Sequence, residues 1–463
     1  MAESFDVVVI GGGPGGYAAA LYGASAGLRI AVVEKDKVGG TCLHRGCIPA
    51  KQFLETAHVH RTVAGAKEFG IEAGQPSVDF AVSQARKQKV VDQLWKGLQG
   101  LMKSRKITTI AGTGRLTRDH LVKVDDGTEL TAPNVVLASG SVPRTIPGFD
   151  FDGNVVVNSD HVLDLTQLPR SVAVIGGGAI GCEFASMMSD LGVQVTLLEA
   201  LPQILTGCDK DAANVVVKSF KARGIDIRTG VKVNGHTPSG SQTTIGIEGE
   251  PQGVTVDKVI VSVGRRPLTD GLLEDGSGVT LDDRGYVTVD ANMRTTAAGV
   301  YAVGDCVPTA QLAHVGFAEA IVAIKTILGE AVVPVDYGAV PWAIYSHPEV
   351  AFAGMTEQAA KDAGHDVVVK KMSFAHNSRA LIVGDNEGLV KVIAEKRGDG
   401  KAGRILGVHM AGPWVTEQLG QGYLSVNWEA TPDEVGQFIQ PHPTLSETFG
   451  EAVLALTGRG LHG

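Results

Sequence analysis

The run FDVVVI at 5–10 is apolar and stops at Gly11, the pattern of a strand buried on both faces of a parallel sheet. A helical pattern follows from Tyr17 to Gly27, then a second strand from Arg29 to Glu34, which together predict a βαβ unit. The same unit recurs at 171–199, as SVAVIGGGAIG, a helix, and VQVTLLE. In both copies the third glycine of the motif lies five residues after the first and an acidic residue lies 23 after it, Gly11 with Glu34 and Gly176 with Glu199. Such an internal repeat predicts two related α/β domains. Between them, 80–106 is helical in pattern, 107–140 reads as short strands, and SVPRTIPGFD at 141–150 reads as a Pro/Gly-rich linker. A short apolar strand ends at 261–267 and echoes 136–143, and residues 286–305 return to strand character. From about 335 the pattern changes to strands around 366–374 and 388–395 and helices around 414–427 and 446–457, a separate C-terminal α+β domain.

The length of 463 residues fits about three domains. The formal charge of −9, with no Lys/Arg-rich run, argues against a nucleic-acid ligand. No apolar run approaches the ~20 residues that span a bilayer, so no membrane partner is expected. The stretch MAESFDVVVIGGG has no basic segment ahead of its apolar run and reads as a first strand, not a signal peptide. The five cysteines, at 42, 47, 182, 208 and 306, are odd in number and include one close pair, which suits a reducing, cytoplasmic setting. Glycine is abundant, with 60 residues clustered after apolar runs, where backbone approaches something closely.

Gly11-x-Gly13-x-x-Gly16 follows a strand and opens a helix. The first glycine permits the turn, the second admits a pyrophosphate, and the third packs helix on strand, while the helix N-terminus faces the phosphates. Glu34 ends the second strand, placed to accept hydrogen bonds from a ribose diol. Gly176-x-Gly178-x-x-Gly181 with Glu199 repeats the arrangement. A carboxylate at 199 suits a free 2′-hydroxyl and repels a 2′-phosphate, and no arginine occurs between it and Arg223, so NAD is expected over NADP.

The segment GGTCLHRGCIPAK at 39–51 carries Cys42 and Cys47. Five residues advance about 140° on a regular helix, so a bridge between the two needs a distorted first turn, which Gly46 allows. A strained disulfide at a helix start is easily reduced. A metal half-site and two buried thiols are the other readings; a metal site wants more ligands at short spacing, and only His44 is near, so no metal is expected. His442 lies between Pro441 and Pro443 with Glu447 five residues on. A carboxylate bonded to one ring nitrogen orients the other and raises its basicity.

GGTCxxxGCIPxK resembles the active-site signature of the pyridine nucleotide–disulfide oxidoreductases. VYAVGDC at 300–306, LAH at 312–314, SHPEVAFAGMTEQAA, FAHNSRA and HPTLSE at 442–447 extend the resemblance over the whole chain, toward the dihydrolipoamide dehydrogenases in particular. The resemblance implies an α/β fold of two Rossmann-like dinucleotide-binding domains plus a C-terminal α+β dimerisation domain. It divides the chain into 1–147 (FAD), 148–268 (NAD), 269–335 (a central segment returning to the FAD domain) and 336–463 (interface). Cys42 would be the interchange thiol that meets substrate and Cys47 the thiol against the flavin. Lys51 would lie at the flavin's reactive edge, paired with Glu183. Asp305 would hold the ribityl chain and Ala313 would contact the flavin, while Gly264 and Arg265 would form the nicotinamide-side loop; Arg265 could equally be a solvated loop charge. Lys35, Gly40, Thr41, Gly114, Ser139, Gly140, Ile180 and Val233 are the remaining cofactor contacts implied. His442, with Glu447, would act on the disulfide of the opposite subunit in a homodimer, and the His442–Pro443 and His347–Pro348 bonds would be cis. The reaction implied is oxidation of dihydrolipoamide to lipoamide with reduction of NAD. The dihydrolipoyl group would come from lipoyl domains of 2-oxoacid dehydrogenase or glycine-cleavage components, or from free lipoamide.

Three departures stand out. Ser139 replaces a usual Thr and keeps its hydroxyl. His44-Arg45 stand where Asn and a small apolar residue are usual, which bears on substrate entry. Gly316-Phe317-Ala318-Glu319-Ala320 ends in Ala where Gly is commoner. Mercuric reductase and the large thioredoxin reductases need a C-terminal redox pair, and the last cysteine here is Cys306. A glutathione-reductase-like enzyme is the serious alternative, and Glu199 and the NSRA segment speak against it. A flavin-binding scaffold without turnover is the alternative outside enzymes.

Overall fold

A computed structural model describes residues 3–462, so the outer ends of the first and last expected domains lie outside the described residues. The strand Val7–Ile10 sits at the centre of a five-stranded parallel sheet in the spatial order 300–302, 134–137, 7–10, 30–34, 108–111. Val7, Val8 and Val9 are fully buried because the helices Pro14–Ser25 and Ala313–Leu328 cover one face and the strands at 114–131 cover the other. The strand Val300–Ala302 returns to this sheet from far along the chain, closing it beside Asn134–Leu137.

The second sheet has the same plan: five parallel strands in the order 156–157, 258–261, 171–175, 194–199, 226–229. Each domain also carries a small antiparallel sheet, at 114–131 in the first and 233–256 in the second. The C-terminal part is a five-stranded antiparallel sheet in the order 342–344, 349–354, 402–412, 389–396, 367–373, backed by the helices Val415–Asn427 and Glu447–Leu456.

Several elements differ from the reading of the sequence. The first helix begins at Pro14, ahead of Tyr17, because proline's fixed φ suits a first helical position. Part of the expected linker is a strand: Ser141–Pro143 pairs antiparallel with Arg265–Pro267, so the chain's two crossings between domains lie side by side. Of 286–305 only Val300–Ala302 enters the sheet; Val287 and Arg294 make isolated bridges, and Asp282 and Asp290 cap tight turns with their carboxylates. Among the described residues no helix is long and apolar enough to cross a membrane.

Candidate active site

The two glycine motifs build matching cradles. A Cβ on Gly11 would stand 2.2 Å from the Ala138 carbonyl oxygen, and one on Gly176 would stand 2.4 Å from that of Ser262. Both glycines have positive φ, +105° and +107°. Gly16 and Gly181 are forced by their approach to the carbonyls of Gly11 and Gly176, 1.8 and 1.9 Å from an added Cβ. The middle glycines differ. Gly13 and Gly178 have ordinary φ of −70° and −74°, and a Cβ on Gly178 would meet nothing within 4 Å. Nothing in the protein requires a glycine there; a ligand pressed against the backbone does. Each of these two residues caps a helix, Pro14–Ser25 or Ala179–Asp190, with no side-chain cap and no acid in the first turn, which leaves orphan N–H groups for an anion.

The acids at the strand ends are held alike. Glu34 accepts from the Gly12 amide at 2.6 Å and the Asp36 amide at 2.8 Å. Glu199 accepts from Gly177 at 2.5 Å and Leu201 at 2.7 Å. Each carboxylate keeps lone pairs free for a diol. Within the first domain, Gln311 Nε2 is buried and lacks a hydrogen-bond partner just ahead of Ala313, which opens the helix Ala313–Leu328. A buried donor left unpaired is costly and fits a site completed by a bound group. The residues present therefore fit two dinucleotides.

Cys42 lies in the short helix Gly40–Arg45 and Cys47 opens the helix Cys47–Gly65, with the break at Gly46. The structure has both as free cysteines, without the expected bridge. The neighbouring Cys47 sulfur, and after it burial, push the Cys42 thiol up. The neighbouring Cys42 thiol holds Cys47 below the ordinary thiol range, with the Lys51 charge adding to it and burial opposing. Lys51 Nζ bonds both oxygens of Glu183 at 2.8 Å, and Glu183 also accepts from the Tyr345 amide at 2.9 Å. Burial pulls the Lys51 ammonium down, but the Glu183 carboxylate outweighs it and holds the ammonium above its usual value.

Asp305 accepts from Ser141 Oγ at 2.5 Å, and Arg265 reaches the same hydroxyl at 2.7 Å and the Ser141 carbonyl at 2.8 Å. The Arg265 guanidinium is thus committed to Ser141, the residue that holds Asp305, a placement the sequence did not signal. Gly264, with φ of +103°, has open space at its Cβ position, and Ser139 and Gly140 flank the Cys306 thiol. Gly114 is packed against Val33 and Ile10, Val233 opens a strand, and Lys35 and Ile180 are exposed. Gly40 meets Gly13, 2.6 Å from an added Cβ, and Thr41 follows it on the cysteine helix. His44 turns away from the thiols: its Nε2 bonds the Val38 carbonyl at 3.0 Å and its ring stands edge-on to Trp95, while Arg45 pairs with Asp36 at 3.1 Å.

His442 Nδ1 bonds Glu447 at 2.8 Å, and Glu447 also accepts from the Thr444 amide at 2.7 Å. Burial opposes these bonds, but together they hold the carboxyl below its usual range. The imidazole is exposed, and no hydrogen bond or ion pair joins it to Cys42 or Cys47 of the same chain. Both His442–Pro443 and His347–Pro348 are cis. Among the described residues no group of three or more His, Cys, Asp or Glu is placed to hold a metal ion.

Residues 5–320 match the family described as pyridine nucleotide-disulphide oxidoreductase, and 340–453 match its dimerisation domain. The chain belongs to this family. A dihydrolipoyl dehydrogenase of Bacillus subtilis is 42% identical over 479 residues, covering all of both chains. One from Mycobacterium tuberculosis is 40% identical and covers 98% of each. Among solved structures, LpdA of Mycobacterium tuberculosis superposes with a TM-score of 0.90 at 27% identity, covering 98% of this chain and 100% of that one. The HOCl-induced flavoprotein disulfide reductase RclA of Escherichia coli gives 0.87 at 26%, covering 97% and 99%.

Proposed function

We propose that the chain is a dihydrolipoyl dehydrogenase that oxidises dihydrolipoyl groups to lipoyl groups and reduces NAD, with FAD in the first cradle and NAD in the second. The observation that carries this reading is the adjacent pair Cys42 and Cys47 at a helix start beside the first cradle, with the pKa of Cys42 pushed up and that of Cys47 pushed down. Bound FAD supplies the two-electron relay between that pair and the nicotinamide.

From the oxidised state, His442 takes a proton from one substrate thiol, its ring oriented by Glu447. The substrate thiolate attacks the Cys42 sulfur, the Cys42–Cys47 bond breaks, and the electron pair leaves on Cys47. The second substrate thiol then displaces Cys42, which takes up a proton, and the cyclic disulfide departs. The substrate has lost two electrons and two protons; the enzyme ends with a protonated His442, a thiol at 42 and a thiolate at 47, the distribution that the opposite shifts of the two cysteines favour.

His442 serves the pair of the opposite subunit in a homodimer. The matched dimerisation domain and the exposure of Phe438 and Ile439 just ahead of His442 support this assignment. For the division at 147, 268 and 335, the return of Val300–Ala302 to the first sheet supports assigning the central segment to the first domain. Lipoyl domains of a 2-oxoacid dehydrogenase or glycine-cleavage assembly are the physiological source of substrate, and the cytoplasm, where thiols persist, is the setting.

A substrate matrix tests the reading. Dihydrolipoamide with NAD should turn over rapidly, and glutathione disulfide with NADPH should not. Preference for the second pair, or for NADP over NAD, would overturn it.

A further inference from the structure

Glu319 lies in the helix Ala313–Leu328 and is fully buried. A carboxylate in such a place needs full hydrogen bonding to persist. Three donors reach it: the Gly304 amide at 2.6 Å to Oε2, and the hydroxyls of Thr309 at 2.7 Å and Tyr337 at 2.9 Å to Oε1. The first matters most. Gly304 begins the single turn Gly304–Cys306 that carries Asp305, and its φ is +74°. The far side of that turn is held by Ser141, whose hydroxyl donates to Asp305 at 2.5 Å.

Gly316, one turn earlier on the same helix, faces both neighbours: an added Cβ would make ordinary contact with the Gly15 amide at 3.4 Å and the Gly304 Cα at 3.5 Å. The helix that opens the first dinucleotide cradle, the turn with Asp305 and the helix that starts at Ala313 therefore meet at one point, and Glu319 ties the turn to the helix there.

We infer that Glu319 is a positioning residue for the flavin: it fixes the turn that aims Asp305 and the start of the helix at Ala313, and so sets how tightly FAD is held. This rests on the reading that FAD occupies the first cradle. The role is one of reach, not charge. A glutamine can accept from Gly304 with its carbonyl and donate to the two hydroxyls with its amide, whereas an aspartate keeps the charge but is one methylene too short.

The test is the rate at which FAD leaves the purified holoprotein, followed by the fluorescence of the released flavin. Wild-type protein isolated without FAD would sink the functional reading itself, before any variant is compared. Glu319→Gln should release FAD within about threefold of the wild-type rate, and Glu319→Asp and Glu319→Ala about tenfold faster or more, the range expected when one hydrogen bond to a binding turn is lost. Release at the wild-type rate from Glu319→Asp, or tight binding by Asp with loose binding by Gln, would overturn the inference. The Gln–Asp comparison decides the matter even where the Ala variant does not fold. A purely structural role would lower thermal stability in all three without this order of release rates.

Discussion

At Cys47 the helix start, the neighbouring Cys42 thiol and the Lys51 ammonium all favour the thiolate, and burial opposes them. The net is a thiol below its ordinary value of about 8.5. Lowering the value of an acid extends its charged form to lower pH. In a Cys42→Ser variant, where a hydroxyl stands in for the neighbouring thiol, alkylation of Cys47 should therefore stay fast at pH values where a free thiol has slowed. Adding Lys51→Met removes one of the three causes, so the profile should move to higher pH, readable by mass spectrometry of the labelled peptide. An unchanged profile would show that Lys51 does not act on this sulfur. The cysteines, glycines and strand-end acids were legible because each is demanded by its own neighbours in sequence. Ser141, Glu319 and the inward turn of Arg265 were not, because their partners are far along the chain: Ser141 meets Asp305 from 164 residues away. Glu319 did leave a signal, a lone carboxylate inside the otherwise apolar run VGFAEAIVAI.

The helices Cys47–Gly65 and Ala179–Asp190 are fastened together near both ends. Lys51 pairs with Glu183 close to the thiol, and Arg61 pairs with Asp190 at the far end. Asp190, with a side chain only 3% exposed, also takes Arg223 at 2.5 Å, and Arg223 bonds the carbonyl of His347 in the C-terminal domain. One carboxylate thus joins three domains. Removing it leaves two guanidiniums partly buried and unpaired, so Asp190→Ala should destabilise the protein by about 3 kcal/mol, whereas an exposed pair is worth under about 1 kcal/mol. Urea denaturation at saturating FAD measures it, with Lys232→Ala as the exposed-pair control; equal midpoints for the two variants would refute the staple. Sequence periodicity found the βαβ units because a short, continuous apolar run that ends in glycines suits little besides a strand buried on both faces. It missed the strand Ala402–Gly412, whose alternation is blurred by burial of nearly every residue, and the antiparallel sheet at 233–256, whose threonines and glycines read as loop.

Across the whole molecule, the thiol pair and the imidazole proposed to serve it lie apart. Cys42 lies in a short helix and Cys47 opens the next, both in the first domain, while His442 stands exposed ahead of the last helix, near Phe438 at 70% and Ile439 at 97% exposure. Apolar side chains so exposed beside a candidate base are explained by a second copy of the chain covering them. Each active site would then draw its disulfide from one subunit and its base from the other. Subunit mixing tests this arrangement without any assumption about rates. Cys47→Ser and His442→Ala homodimers should each be inactive with dihydrolipoamide and NAD. After subunit exchange, a heterodimer holds one site with an intact disulfide facing an intact His442, and a second site lacking both. Activity should therefore return as heterodimers form, toward a ceiling of half the wild-type rate per dimer. Mixed dimers confirmed by native mass spectrometry but still inactive would place disulfide and base in the same chain.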